Sequence, residues 1–179
     1  VSDQFDDSEL LRSAVAKANT AVYEAANSNP DLKGMGTTLV SALIRSDGTI
    51  TVINVGDSRA YGITSEGIFQ LSTDHSVVQM MVDRGELSPE AAKNYPGKNL
   101  ITRAVGTDPV VLSDMTHLDV AKGDCFLLCS DGLSNMMDDQ EILFEVVHGV
   151  NKQHCCRRLL DIAKNRGAPD NVTSVLVLI

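Results

Sequence analysis

The first regular pattern along the chain is a helical one. Apolar residues recur at every third or fourth position from Leu10 to Ala25. This spacing predicts an amphipathic helix that ends between residues 27 and 30 and lays its apolar side on a sheet. The preceding residues, Val1 to Ser8, are acidic and polar, so we expect this N-terminal stretch to be frayed.

Short apolar or alternating runs follow the helix, and they are typical of β-strands. They predict strands at 38–44, 49–55, 60–63, 68–71, 125–129 and 172–179. The first two runs flank an Asp47-Gly48 turn, and the next two flank Glu66-Gly67. Because such turns join neighbouring strands, the order of the runs favours consecutive antiparallel pairing.

The pattern changes over residues 73–105, where two short helical signals replace the strands. One helix is predicted at 76–84, with Gly85 after it, and another begins at Ser88 and Pro89. Serine is a good helix cap, and proline fits the first turn. Inserted between strands, this segment is predicted to be either a mobile lid or a plain pair of packing helices.

Two more helices are predicted before the last strand. Asp138 and Glu141 have the spacing of a capping box ahead of an apolar stretch. A second helix is expected at about 153–165, with Gly167 as its stop. The whole pattern therefore predicts an α+β protein.

Three acidic motifs lie where predicted strands begin or end. They are Gly56-Asp57-Ser58-Arg59, Ser130-Asp131-Gly132 and Pro169-Asp170-Asn171. Asp beside Gly, Ser or Asn is also ordinary turn chemistry, so each motif alone has two interpretations. Strand ends can aim several carboxylates at one point, and Mg2+ or Mn2+ binds such oxygen ligands. Together, the motifs predict a divalent-metal site.

Composition narrows the classes of function. The 179 residues are a single-domain length, and 43% apolar with 22% charged residues is typical of a globular protein. No apolar run reaches the roughly 20 residues of a membrane span. The net charge of -9 argues against a nucleic-acid partner. The four cysteines show neither a small disulfide framework nor Cys-x-x-Cys spacing, which favours a cytoplasmic location.

A fourth motif precedes the acidic ones, and it is Gly34-Met35-Gly36-Thr37-Thr38. In this order and at these separations, the four motifs resemble those of the metal-dependent Ser/Thr protein phosphatases of the 2C type, especially the compact bacterial members. The resemblance runs from about Glu9 to Ile179. It implies one catalytic domain over 1–179, a sandwich of two antiparallel β-sheets flanked by antiparallel helix pairs, with 73–105 as a flap beside the active site.

The chain departs from this family at its beginning. Family members open with strands that carry a phosphate-binding Arg and then an Asp-Gly-x-Gly-Gly segment, whose Asp bridges the two catalytic metals. Nothing in the chain matches either feature. The resemblance therefore implies a phosphatase domain without its first strands.

The resemblance also assigns roles to the acids. Asp131 and Asp170 would ligate the first of two catalytic Mn2+ or Mg2+ ions, and Asp57 with Asp131 would ligate a third, weaker ion found in some members. The two ions would activate a water to attack phosphorus without a protein nucleophile. Arg59 would either reach the substrate phosphate or hold Asp57 or a carbonyl in place. The amide of Asn171 would orient Asp170.

The predicted function is hydrolysis of phosphoserine and phosphothreonine in proteins, acting on the products of a bacterial Ser/Thr kinase. An alternative is an inactive relative that binds a phosphoprotein or another partner and regulates it. Retention of Asp57, Asp131 and Asp170 counts against that alternative, because a binding protein has no need of three metal ligands. A further alternative is a fragment without a function of its own.

Overall fold

The computed structural model describes residues 6–149 and 151–179. Its strands are β1 (Leu39–Ile44), β2 (Thr49–Val55), β3 (Arg59–Thr64), β4 (Gly67–Gln70), β5 (Asp114–Asp119), β6 (Cys125–Cys129) and β7 (Ser174–Leu178). Its α-helices are α1 (Asp7–Ser28), α2 (Val77–Asp83), α3 (Pro89–Ala92), α4 (Asp131–Ser134), α5 (Asp139–His148) and α6 (Cys155–Asn165).

The strands form two antiparallel sheets. One sheet has three strands in the order β1-β2-β5, and the other has four in the order β4-β3-β6-β7. The Asp47-Gly48 turn joins β1 and β2 as predicted, with Ile44 opposite Ile50. The chain then crosses to the second sheet at Gly56 and returns to the first with β5, which pairs with β2.

The period-two pattern of the strands divides their side chains between two layers. Ile50 and Val52 of β2 are buried in one cluster with Ala60 and Phe126 of the other sheet, so they form the core of a sandwich. The alternate residue Ile53 points to the other face of β2, where it packs with α1. Each sheet therefore has one face in the sandwich and one face against helices.

Helices cover the outer face of each sheet. Val15 of α1 packs on the three-stranded sheet. Ile142 of α5 and Leu159 of α6 are completely buried against Leu127 of β6 in the four-stranded sheet. Fully burying a Leu or Ile side chain contributes about 1.5–3 kcal/mol, so these contacts hold the helices on the sheets.

The predicted fold class, an α+β sandwich of two antiparallel sheets flanked by helices, is confirmed. A helix pair, α5 and α6, covers the four-stranded sheet. Among the described residues, α1 is the helix in the cluster on the three-stranded sheet. The predicted helices and strands are all present, within a few residues of their expected ends.

The predicted fraying of the N-terminal stretch is wrong for its last residues, whereas Val1 to Phe5 lie outside the described part. The carboxylate of Asp6 caps α1 by accepting a hydrogen bond from the backbone N–H of Ser8 at 3.0 Å. Asp7 forms an ion pair with Arg45 at the end of the first hairpin. A helix cap and a tertiary ion pair therefore order the start of α1, although the polar sequence there predicted fraying.

A polar residue of α1 also holds the loop that follows the flap-like segment. Asn19 is 1% exposed. Its Oδ1 accepts a hydrogen bond from the Gly106 N–H at 2.7 Å, and its Nδ2 donates to the Asp108 carbonyl at 2.9 Å. Because a buried amide without partners would be costly, these bonds fix the loop on the helix.

Residues 73–105 lie between β4 and β5 and contain the two predicted short helices. Ser76 caps α2, and Ser88 caps α3, with Pro89 in its first turn. The ends of the segment are paired with each other, because Ser76 forms a β-bridge with Ile101. Residues 73–105 therefore leave the sandwich and return to it at neighbouring points.

All four cysteines are free thiols. Cys125 and Cys129 lie in β6 and Cys155 begins α6, and each is almost completely buried in the core under the helix pair. Cys156 is half-buried. The two β6 cysteines therefore act as small hydrophobic residues of the core.

Within the described residues, none of the helices combines the length and the apolar character that a membrane crossing requires.

Candidate metal centre

The register of the four-stranded sheet brings the acidic motifs to one end of it. Arg59 at the start of β3 pairs with Cys129 at the end of β6. Cys129 also pairs with Ser174 at the start of β7. The motifs adjoin these paired strand ends and contribute Asp57, Asp131 and Asp170. We call this end of the sheet the acidic end.

The turn that carries Asp57 is tightly packed. Gly56 has a φ of 103°, which glycine adopts without strain. A Cβ at Gly56 would also lie 2.7 Å from the Cβ of Thr38. The hydroxyls of Thr38 and Ser58 are hydrogen-bonded at 2.8 Å. The glycine- and threonine-rich motif before β1 therefore packs beside this turn.

Asp131 is the first residue of the one-turn helix α4, directly after β6. Its carboxylate accepts a hydrogen bond from the side-chain amide of Asn135 at 3.2 Å. The preceding Ser130 does not cap this helix, because its hydroxyl is used elsewhere. It donates to the Asn171 carbonyl at 3.2 Å and accepts from the Thr173 N–H at 3.0 Å. Ser130 thus fastens the Asp131 segment to the Asp170 turn.

The turn that carries Asp170 is exposed. Its carboxylate accepts a hydrogen bond from the backbone N–H of Asn171 at 2.6 Å. Asn171 was expected to orient this carboxylate, and it does so through its backbone amide. The turn also sits directly on α4, since a Cβ at Gly132 would lie 3.0 Å from the carbonyl carbon of Asn171. Glycine at position 132 permits this approach.

The carboxylates at the acidic end affect one another. Burial, followed by the charge of Asp131, raises the pKa of Asp57 to about 6. Burial, followed by the charge of Asp170, raises the pKa of Asp131. Both shifts disfavour the ionised forms, as expected when carboxylates share a partly desolvated site. A bound cation would relieve this repulsion.

The donor chemistry therefore fits a hard divalent cation, although the coordination shell is incomplete. Among residues 6–149 and 151–179, no three His, Cys, Asp or Glu side chains converge to hold a metal ion. The acids interact as neighbouring pairs, Asp57 with Asp131 and Asp131 with Asp170. One or two carboxylates completed by water are a common site for Mg2+, so pairs of this kind suit such an ion.

Arg59 has a structural partner. Its guanidinium forms a bidentate ion pair with Asp74, with Nη2 2.7 Å from Oδ2 and Nε 2.9 Å from Oδ1. Its Nη1 donates to the Tyr61 hydroxyl at 3.1 Å. Of the two roles predicted for Arg59, the structural one agrees with these contacts. The expected partner was wrong, because Arg59 holds Asp74 and not Asp57 or a carbonyl.

Sequence reasoning missed Asp74 and His75, which lie at the start of the flap-like segment. His75 is 5% exposed, and its ring Nδ1 accepts a hydrogen bond from the Gly56 N–H at 3.1 Å. The signal available was an Asp-His pair separated by two residues from the end of a predicted strand. That signal is weak without knowledge of which turn faces it.

A cavity of about 660 Å³ separates the acidic end from the flap-like segment. Asp57 and Asp131 line one side, and Val78, Lys93 and Asn99 line the other. A cavity of this size accommodates a ligand of moderate size. The carboxylates of Asp57 and Asp131 and the flap-like segment thus face a common space.

Comparison with known proteins identifies the class. The family profile described as Protein phosphatase 2C matches residues 1–161. The serine/threonine protein phosphatase PstP of Mycobacterium tuberculosis is 37% identical over 166 residues, which are 93% of this chain and 32% of PstP. The chain therefore belongs to the protein phosphatase 2C family.

Solved structures extend the similarity to the fold. The serine/threonine phosphatase Stp1 of Staphylococcus aureus is 36% identical with a TM-score of 0.94, and the match covers 100% of this chain and 70% of that one. The catalytic domain of PstP in complex with two manganese ions is 34% identical with a TM-score of 0.86, over 98% of this chain and 72% of that one. The chain thus spans about a third of the full PstP sequence and over two thirds of these solved chains.

Proposed function

We propose that the protein hydrolyses phosphoserine and phosphothreonine in phosphoproteins produced by a Ser/Thr kinase. The observation that carries this proposal is the acidic end, where three carboxylates adjoin paired strand ends in a fold shared with bacterial Ser/Thr phosphatases. The similarity to PstP, whose catalytic domain binds two manganese ions, supports a divalent-metal reaction.

In this proposal, Asp131 and Asp170 bind a catalytic Mn2+ or Mg2+, and Asp57 with Asp131 binds a further ion. A pair of such ions supplies a water of lowered pKa and positive charge beside the phosphoryl oxygens. Burial, and after it the repulsion between neighbouring carboxylates, raises the pKa of Asp57 and of Asp131. The carboxylates therefore gain charge compensation when they hold cations.

The side chains near the acidic end favour water over a protein nucleophile. Cys129 lies next to Ser130, but it is 2% exposed and burial raises the pKa of its thiol to about 12. A thiol attacks phosphorus as the thiolate, so Cys129 is unsuited to that role. The Ser130 hydroxyl is occupied by two backbone groups of the neighbouring loop.

Bound cations would also offset the negative charge of the chain. The chain has a net charge of -9, and its field opposes the approach of a phosphorylated protein. Arg59 cannot easily compensate, because Asp74 occupies its guanidinium from two directions. Bound cations would create the local positive charge that attracts the phosphate.

The test is hydrolysis of a phosphothreonine peptide with and without Mn2+, by the protein and by its Asp131→Asn variant. We expect Mn2+-dependent turnover that falls by more than about 100-fold in the variant, since even groups that only support metal ligands are worth 10–100-fold. Asp161→Asn, an exposed change on α6, is the matched control.

Equal turnover by the protein and its Asp131→Asn variant, or turnover that ignores Mn2+, would overturn the proposal. A protein that binds the phosphopeptide in the presence of Mn2+ without hydrolysing it would instead be the inactive binding protein.

A further inference from the structure

His75 lies where three separate parts of the chain meet. Its backbone N–H donates to the Gly56 carbonyl at 2.9 Å, and its own carbonyl accepts from the Thr102 N–H at 2.7 Å. Its ring reaches Gly56 on one side and Asp114 on the other. The residue thus joins the Asp57 turn to both ends of the flap-like segment and to the start of β5.

The contacts of the ring define its tautomer. A backbone N–H can only donate, so His75 Nδ1, which lies 3.1 Å from the Gly56 nitrogen, must offer its lone pair. The neutral ring then carries its proton on Nε2, which lies 3.2 Å from Asp114 Oδ2. A carboxylate on the far nitrogen is the arrangement that commonly fixes the orientation of a functional histidine.

Asp114 also has a second partner. Arg103, at the far end of the flap-like segment, donates from Nη1 to Asp114 Oδ1 at 2.8 Å. The same Nη1 lies 3.1 Å from His75 Nε2, but both atoms are donors in the assigned tautomer, so the carboxylate is the partner of each. The connection runs from Arg103 through Asp114 and His75 to the Gly56 N–H.

The turn at Gly56, where this connection ends, tolerates little change in conformation. Gly56 has a φ of 103° and packs against Thr38 so closely that a Cβ would not fit. Asp57 follows it directly, so the plane of the Gly56 amide helps to set the direction in which the Asp57 carboxylate leaves the turn. A buried N–H that loses its acceptor costs about 1–3 kcal/mol, which is enough to favour another turn geometry.

We propose that His75 is a positioning residue: with its proton on Nε2 and held by Asp114, it fixes the Gly56–Asp57 turn, and hence the Asp57 carboxylate, to both ends of the flap-like segment. The part of this inference that concerns metal binding rests on the proposed function. The part that concerns the turn does not.

Two substitutions of His75 test the contacts of its two ring nitrogens separately. In His75→Asn, the side-chain oxygen lies near the former Nδ1 and still accepts from the Gly56 N–H, while the contact with Asp114 is lost. In His75→Gln, the longer side chain places an amide nitrogen near the former Nε2, which reaches Asp114, while the acceptor for Gly56 is lost. A residue that merely fills space would not distinguish these variants.

The Gly56 amide can be observed selectively. The chain contains two Val-Gly pairs, Val55-Gly56 and Val105-Gly106. Labelling with carbonyl-13C valine and 15N glycine therefore yields two correlated amide signals in an NMR spectrum. Gly106 donates to Asn19 and not to His75, so its signal is an internal control. A long-range 1H–15N spectrum of the His75 ring reads the tautomer directly.

We expect the Gly56 signal to move in His75→Gln and to stay near its place in His75→Asn, with the Gly106 signal unmoved in both. The Mn2+ dissociation constant should rise about tenfold in the Gln variant and much less in the Asn variant. Thermal unfolding of both variants checks that each is folded.

Equal displacement of the Gly56 signal in the two variants, no displacement in either, or a ring proton on Nδ1 would overturn the inference. If the unaltered protein neither binds Mn2+ nor hydrolyses phosphopeptides, the proposed function fails, while the Gly56 signal still decides whether His75 fixes the turn. If the protein is active but His75→Gln leaves the Gly56 signal and Mn2+ binding unchanged, only the positioning role fails.

Discussion

The Asp57 turn and the Asp170 turn adjoin the same end of the four-stranded sheet, but they are held in different ways. The Asp57 turn is half-buried and is bound by His75 and by the Thr38–Ser58 pair. The Asp170 turn is exposed, and its contacts with α4 are the hydroxyl of Ser130 and the close approach at Gly132. One turn is thus held from several sides and the other from one.

The difference suggests different uses of the two acids. A half-buried carboxylate of raised pKa keeps its position without a cation but pays an electrostatic cost for its charge. An exposed carboxylate has little such cost, but it must be ordered when a ligand binds, which takes conformational entropy. Binding of a metal ion should therefore reorder the Asp170 turn more than the Asp57 turn.

The largest effect on stability is expected from Gly56→Ala. The change forces an L-residue to a φ of 103° and puts a Cβ 2.7 Å from the Cβ of Thr38. A left-handed conformation and overpacking together should lower the free energy of unfolding by about 3 kcal/mol, as measured by urea denaturation. Gly85→Ala, at a φ of 70° with open space around it, is the control and should cost only about 1 kcal/mol. Equal losses at the two sites would contradict the tight packing of the Asp57 turn.

Gly132→Ala tests the other turn. A Cβ there would lie 3.0 Å from the Asn171 carbonyl carbon, so the Asp170 turn must move away from Asp131. We expect a loss of about 2 kcal/mol in unfolding free energy and a fall in phosphopeptide hydrolysis of about 100-fold, because small displacements of reacting groups are costly. Gly62→Ala, where the nearest neighbour of a Cβ would be the flexible Leu71 side chain at 3.4 Å, should leave both quantities nearly unchanged. Normal hydrolysis by Gly132→Ala would show that the contact between turns is unimportant.

Ser130→Ala removes the fastening between Asp131 and the Asp170 turn. Its hydroxyl makes hydrogen bonds with Asn171 and Thr173, and their loss should cost about 1 kcal/mol of stability. Mn2+ affinity should fall with it, because Asp170 then has more freedom. Ser58→Ala on the better-held turn loses one hydroxyl pair and should lose a similar amount of stability with less change in Mn2+ affinity. The comparison between the turns fails if both variants bind Mn2+ equally well.

The smallest effect concerns pH in the absence of metal. The pKa of Asp57 is about 6 in the folded protein, against about 3.9 in an unfolded chain. The folded state therefore binds more protons between these values, and the free energy of unfolding falls as pH rises through them. Above about pH 6 the full cost is present, and solvent screening at this half-exposed group reduces it to about 1 kcal/mol.

Asp57→Asn removes this cost. With a chelator present, the variant should be more stable than the parent protein by about 1 kcal/mol at about pH 7.5, and the gain should vanish near about pH 4. Asp170→Asn, at an exposed site, should change stability by no more than about 0.5 kcal/mol. Denaturation curves at both pH values provide the measurement, and a gain that does not depend on pH would exclude the electrostatic explanation.

The parts of the fold with strong local signals could be predicted from the sequence. The Asp47-Gly48 hairpin, the capping box of Asp138 and Glu141, and the apolar β6 lie within a residue or two of their expected places. Each depends on residues that are near one another in the chain. By contrast, β5 was missed, because its half-exposed, polar-rich sequence has no turn signal and its partner β2 is far away in sequence.

The acids of the candidate site were found for the same reason, since each is bound to the local chemistry of a strand end. The roles of the residues that hold these acids in place were not found from the sequence. Ser130 reaches Asn171 and Thr173 only because β6 and β7 pair in one particular register. Asp74 and His75 meet Arg59 and Gly56 only when the flap-like segment folds back beside the Asp57 turn. Similarly, α4 begins at Asp131 after Ser130, a residue type favoured at the N-cap, but the Ser130 side chain makes no capping hydrogen bond, and the helix is only one turn long.

The four cysteines differ in burial, so their rates of chemical modification can report how often the helix pair α5 and α6 separates from the sheet. Cys156 is half-buried, whereas Cys125 and Cys129 of β6 and Cys155 at the start of α6 are buried in the core between the sheet and the helix pair. A thiol reagent should modify Cys156 first in the native protein, and the other three only when the helix pair lifts from the sheet. The ratio of these rates then reports the free energy of that local opening, with no label added to the chain.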